Sequence, residues 1–355
     1  MNRHAQQLWM TLVQAGVVQG DAPQTEHMES PWYVKVLLAF SGWIAAIFFL
    51  CFLAMAYTAL IHNSAIAGLT GGAILVVASI LLRTPRNEFI EHLALALSLA
   101  GQALVVYWIF DHSPVVDALN WLWVMLFQAV LVVLMPNFIH RVFSSLVLSL
   151  AFFMAMLLSG WSVVVGGTLL GGAAWCWCNE LRFPSRMRLV QAAGYGLVLA
   201  LLFFHGTELS GNRFLFLFSS SRMEQWGQPW MGELIKGVVM LSVVWAILRS
   251  YQQPAVHPLA LMTLLATAVV CGLSLEVYGL TTGVTLIVLG FAASHRVLLG
   301  LGIASLLLFL SSYYSLLDLT LLAKSGRLCA TGLALLLLRW CMLRVLFSLK
   351  EGKHV

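Results

Sequence analysis

Charge is what this sequence has least of. Asp, Glu, Lys and Arg make up 9% of its 355 residues, against 61% apolar ones, and the mean hydropathy is +0.92. That leaves too little polar surface to solvate a globule of this length, which excludes a soluble enzyme or binding domain. Charge-poor runs of about 20 residues, the length that crosses a hydrocarbon core of roughly 30 Å, recur from Val34 almost to the end. The chain therefore reads as an all-α polytopic membrane protein without a large soluble domain.

Other absences narrow the chemistry. The six cysteines form no disulfide or zinc framework: Cys51, Cys271, Cys329 and Cys341 lie in apolar runs, and Cys176 and Cys178 are closer than the usual CxxC spacing. Free thiols behaving as small hydrophobes are expected. No H-E-x-x-H, G-x-S-x-G or P-loop pattern occurs, so no catalytic residue is assigned and no metal or cofactor is expected. Nucleic acid is not an expected partner either, because the net charge of +5 is accounted for by short loops between apolar runs. The first 31 residues lack the pattern of a cleaved signal peptide. They hold only "LWMTLVQAGVV", with Leu8, Trp9, Leu12 and Val13 at helical spacing, which predicts a short amphipathic cytoplasmic helix and a linker.

Twelve spans can be drawn, beginning near Val36, Ser64, Phe89, Ala118, Val142, Trp161, Leu189, Met231, Leu259, Val277, Val297 and Leu328; ten or eleven remain compatible with the pattern. Turns at His62-Asn63, Gly160 and Glu276 leave almost no loop and predict tight helical hairpins. The organisation is then a cytoplasmic segment over 1–31, a transmembrane domain over 32–349 and a cytoplasmic tail over 350–355. Cations set the orientation, since Lys and Arg are retained on the cytoplasmic side of short loops. Arg83, Arg86, Arg141, Arg182, Arg186, Arg188, Arg249 and Arg296 fall in even-numbered loops, and loops one, three, five and nine have none. Both termini are therefore expected inside. Five cations break the rule: Arg213, Arg222 and Lys236 around the seventh loop, and Lys324 and Arg327 in the eleventh.

The eleventh loop is the first candidate site. Asp318 precedes Lys324 by six residues, off a shared helical face, but a turn at Ser325-Gly326 would bring Lys324 or Arg327 back to the carboxylate, beside Tyr313 and Tyr314. The plainer reading is a solvated loop whose basic side chains reach lipid phosphate. The surrounding "YYSLLDLTLLAKSGRLCATGLALLLLRW" resembles the C-terminal signature of an uncharacterised family of bacterial inner-membrane proteins, domain of unknown function 4401. Tyr313, Tyr314, Leu316, Thr320, Leu321, Leu322, Lys324, Ser325 and Gly332 carry the likeness. "WYVKVLLAFSGWIAAIFFLCFLAM" at the first span is a second point, so the resemblance runs from about Trp32 to Leu349. It implies a multi-pass inner-membrane protein in an assembly with a second polytopic family and a membrane-anchored partner named for its GDYxxLxY motif. It names no reaction.

The ends of the third, seventh and eleventh spans read alike. Tyr107-Trp108 with Asp111, Phe203-Phe204 with Glu208 and Tyr313-Tyr314 with Asp318 each place an acid shortly after an aromatic pair. With the tight turns, this suggests three diverged four-helix units near 33–135, 139–255 and 257–349. Aromatic belts at any interface generate the same pattern. Among polar residues inside spans, Arg339 stands about 16 Å down the last helix, which predicts either a shielded ion pair or snorkelling inward. Gln102 and Gln128 are expected to hydrogen-bond between helices. The seventh loop, with Phe214, Phe216, Phe218, Trp226 and Trp230 among Arg213, Arg222, Glu224 and Glu233, reads as an interfacial anchor or a docking surface. The leading expectation is a non-catalytic component of an envelope membrane complex that binds lipid and a membrane-anchored partner with a periplasmic domain. The alternatives are a transferase or hydrolase of an envelope lipid, using Asp318, Glu208 or Asp111 as base, and a secondary transporter.

Overall fold

The structure, a computed structural model, describes residues 3–16, 64–83, 88–112, 116–209, 229–250, 258–275 and 279–316, with single positions between 34 and 55 and between 322 and 344. All regular structure among the described residues is helical. Helix α1 (Arg3–Gln14) is followed by α2 (Ser64–Arg83), α3 (Glu88–Asp111), α4 (Ala118–Leu134), α5 (Phe138–Leu158), α6 (Val165–Cys178), α7 (Met187–Leu209), α8 (Pro229–Ser250), α9 (Pro258–Ser274), α10 (Leu280–Ala292) and α11 (Arg296–Leu316). Among the described residues, five segments are long and apolar enough to cross a bilayer: Ser64–Arg83, Phe89–Asp111, Phe138–Leu158, Pro184–Gly206 and Trp230–Ser250. Shorter apolar helices accompany them, as a helical membrane protein requires.

Local chemistry sets the boundaries. Asp117 and Asn137 cap α4 and α5, each side chain accepting the backbone N–H three residues on at 3.1 Å. Pro229 and Pro258 open α8 and α9, where a missing N–H costs nothing. Gly160, at φ +79°, stops α5: Trp161 N–H reaches Met156 O at 2.8 Å and Gly160 N–H reaches Leu157 O at 3.1 Å. Helix α10 stops the same way, but on Ser294 at φ +56°, with His295 N–H on Gly290 O at 2.9 Å. A residue with a Cβ is strained there.

Packing follows the small residues. Helices α2 and α3 touch backbone to backbone, since a Cβ on Gly71 would lie 2.7 Å from Gly101 O. Helices α10 and α11 meet as closely, with Leu299 N 2.5 Å from a Cβ built on Gly290. In "GGTLLGG" and "GLTTG" the expected close packing is present, Gly167 against Ile235 and Gly283 against Leu306. The main apolar core lies among α5, α6, α7, α10 and α11, where Phe153, Leu170, Leu201, Leu286, Leu289 and Leu298 are buried. The tight turn at Gly160 does not make a hairpin of close-packed helices. Helix α5 packs on α4 and α7, whereas α6 packs on α7 and α8, because the short 3-10 turn Ser162–Val164 redirects the chain. The turns expected at His62-Asn63 and Glu276 lie outside the described residues.

The up-and-down course gathers Arg83, Arg141, Arg182, Arg186, Arg188, Arg249 and Arg296 at one end of the bundle. Two contacts tie that end together: Arg83 Nη2 donates to Leu134 O at 3.2 Å, and Asn137 Nδ2 donates to Glu91 Oε1 at 2.7 Å.

Candidate functional site

The opposite end of α7, α8, α9 and α10 holds a buried charge cluster. Glu233 and Lys236 stand three apart in the second turn of α8, hence on one face, and both residues are 3% exposed. Lys236 Nζ donates to Glu233 Oε1 at 2.5 Å. Ser274 Oγ, the last residue of α9, donates to Oε2 at 2.8 Å, and Gly279 N–H donates to Oε1 at 3.1 Å. Gly279 sits at φ +88° immediately before α10, so the carboxylate lies at that helix's N-terminus, where unpaired N–H groups and the helix dipole favour an anion. Three donors from three elements thus converge on one carboxylate.

Lys236 continues the network inward. Its Nζ lies 3.4 Å from His205 Nε2, near the end of α7, and that nitrogen lies 2.9 Å from Thr282 Oγ1 in the first turn of α10. An ammonium can only donate, so a hydrogen bond between Lys236 Nζ and Nε2 requires that nitrogen to accept. Thr281 Oγ1 donates to Ser274 Oγ at 2.5 Å, which fixes the hydroxyl that serves Glu233. Phe309 closes the wall, its ring centroid 5.1 Å from that of His205. The Lys236 stem runs along the first turn of α6, where a Cβ on Gly166 would be 3.3 Å from Lys236 Cδ. Charges this deep persist because each is the other's partner; removing one leaves an uncompensated ion.

The residues expected from sequence fall elsewhere. Asp318, Lys324 and Arg327 lie outside the described residues, as does the seventh loop from 210 to 228. Tyr313 and Tyr314 belong to the last turn of α11 and Glu208 to that of α7, with side chains outside what is described. Asp111 ends α3 and is exposed. Arg339 is helical and exposed, so the described residues of this chain provide no shield for it. Gln102, 3% exposed, lies 2.7 Å from His140 Nε2 and joins α3 to α5. His140 Nδ1 is in turn 3.3 Å from Ser144 Oγ. Gln128 is buried in α4 with no partner for Oε1 among the described residues.

Glu233 and Lys236 stand where the seventh loop meets the span expected from near Met231; α8 begins at Pro229, so both lie inside the helix and are buried. Lys236 breaks the orientation rule because Glu233 neutralises it one turn away. The signal was present as an acid and a cation at i, i+3 inside an apolar run. His205, Ser274, Thr281 and Thr282 carried no signal of their own, since only the tertiary fold brings them to that pair.

Fold and site together define a helical membrane protein with a charged, hydrogen-bonded cluster sealed in its interior. The chain belongs to the family described as Domain of unknown function (DUF4401), which matches residues 31–345. No curated protein and no solved structure matches it.

Proposed function

We propose that this protein is a multi-pass inner-membrane component with twelve spans and both termini cytoplasmic, acting within an envelope assembly as a proton-coupled carrier of a small solute or lipid group. The observation that carries the reading is the Glu233–Lys236–His205 cluster at 2–3% exposure. Ionisable residues sealed among membrane helices are expensive and mark proton relays and transport sites. A second observation favours transport. Helices α6 and α10 are short and glycine-bearing, occupy the second position of the second and third four-helix units, and direct their first turns at the cluster. Short, glycine-interrupted helices in corresponding positions of repeated halves are a pointer to transporter binding sites. The pairing of α2 with α3, α6 with α7 and α10 with α11 supports the three-unit division.

The chemistry follows from the donors. A proton arriving from the outer side adds to the Glu233 carboxylate and removes the negative partner of Lys236. The ammonium, buried and uncompensated, then turns toward His205 and Thr282, or passes its proton to His205 Nε2. Either change loosens α8 from α9 and α10, because Ser274 and Gly279 lose the ionised acceptor that held them. Protonation is thereby coupled to helix packing. The resemblance adds a membrane-anchored partner with a periplasmic domain, which would dock on the outer side beside this cluster. Of the acids named for lipid hydrolysis, Asp111 is exposed and apart from the buried network and lends the enzyme reading no support.

Full-length protein in liposomes containing a pH-sensitive dye tests the proposal. Under an imposed potassium diffusion potential, wild type admits protons faster than protein-free liposomes, and Glu233→Gln abolishes the difference. Equal rates for wild type and protein-free liposomes contradict it.

A further inference from the structure

A second buried carboxylate lies at the arginine-rich end of the same helices. Glu180 follows α6 in a 3-10 turn, Glu180–Arg182, and is 5% exposed. Gln191 Nε2 donates to its Oε1 at 2.6 Å, and His295 Nε2 lies 3.1 and 2.9 Å from its two oxygens. His295 is thrown into this position by Ser294, whose left-handed conformation ends α10. The imidazole rests edge-on against Trp177 at 4.7 Å between centroids, and Trp177 rests against Tyr195 at 4.9 Å. The carboxylate side chain is 6% exposed and the imidazole 26%, so the acid is the more buried of the two and the histidine the more exposed. Arg182, Arg186, Arg188 and Arg296 nearby in sequence are all exposed, and Arg182 is bonded to Asn179 Oδ1.

We infer that Glu180 and His295 form the inner gate of the route to Glu233. The inference rests on the transport reading above. Helix α10 has 13 residues and is therefore about 20 Å long. Its N-terminus is held on Glu233 through Gly279, and its C-terminal turn is held on Glu180 through His295. A carrier that opens to each side in turn must release one of these ends at a time. The pair also joins equivalent places in the two units, the turn between α6 and α7 and the turn between α10 and α11. Because α10 and α11 meet at Gly290 and Gly302 with backbone contact, they move as one body when His295 lets go. Under the gate lie Ala173, one turn inside Trp177 on the same face of α6, and Leu289.

The test is thiol access in the full-length protein. Ala173→Cys is introduced into a variant in which the native cysteines are serine, in inverted membrane vesicles that present the arginine-rich end, and a membrane-impermeant maleimide is added. With Glu180 and His295 in place labelling is slow. Glu180→Gln or His295→Ala raises its rate about tenfold, the effect of removing a closing preference of about 1.4 kcal/mol. Ala67→Cys in α2, equally buried but remote from the gate, stays slow in both variants. Unchanged labelling at Ala173→Cys, or an equal rise at Ala67→Cys, overturns the gate. Gated labelling without wild-type proton flux would refute transport and leave the contact standing as a hinge, so the two failures are distinguishable.

Discussion

Lys236 and Glu233 show how one turn of helix resolves a conflict between charge and bilayer. Each alone would be a buried ion, and truncating one partner of such a pair costs about 3–5 kcal/mol. Lys236→Met and Glu233→Leu should each lower the thermal midpoint in detergent steeply, and the double change should cost less than either single one, because it removes the stranded charge. Strictly additive losses would show that the two side chains do not compensate each other. Gly279→Ala should be comparably harmful. Its φ of +88° disfavours any Cβ, that Cβ would meet Phe309 at 2.8 Å, and the N–H that serves Glu233 would shift. The left-handed strain and the clash together amount to about 2–4 kcal/mol. Gly72→Ala, with nothing within 4 Å, should be neutral or slightly stabilising in the same assay. At this scale the sequence displayed the acid and the cation but not their depth, and the hydroxyls and His205 were invisible because they come from three other helices.

The helices themselves were largely legible. Apolar length located them, and Asp117, Asn137, Pro229, Pro258 and Gly160 mark their ends by mechanisms that act within a few residues. What local chemistry does not encode is which helix packs on which. The turn at Gly160 is as tight as expected, yet α5 and α6 diverge, because partners are chosen by matching small residues from distant segments, such as Gly71 with Gly101 and Gly196 with Ser145. Gly101→Leu should therefore separate α2 from α3 and lower the thermal midpoint, since its side chain would have to pass the backbone of Gly71. The stop of α10 offers the opposite test. Ser294→Gly relieves a positive φ and should raise stability by about 1 kcal/mol, while Ser294→Val, which cannot adopt that conformation cheaply, should lower it.

Across the whole molecule, the arginine-rich end and the Glu233 end give the bundle a polarity that the loop charges predict to be cytoplasmic and external. Cysteine labelling at Ser325 with an impermeant reagent should then report the external side; reaction from the cytoplasm alone would invert the orientation, and with it the side from which Glu233 receives its proton. Of the cations that run against the loop-charge rule, Lys324 and Arg327 lie outside the described residues, whereas Lys236 is paired and buried.

The measurement closest to the central claim is infrared difference spectroscopy of the full-length protein in lipid nanodiscs, recorded between alkaline and acidic buffer. Protonation of a carboxylate in an apolar site yields a C=O stretching band separate from those of solvated acids. Wild type should show such a band on acidification, Glu233→Gln should lack it, and Lys236→Met should shift the pH at which it forms. A wild-type spectrum without that band, or one that Glu233→Gln leaves unchanged, would contradict the account, because Glu233 would then be a fixed structural ion and not a proton carrier.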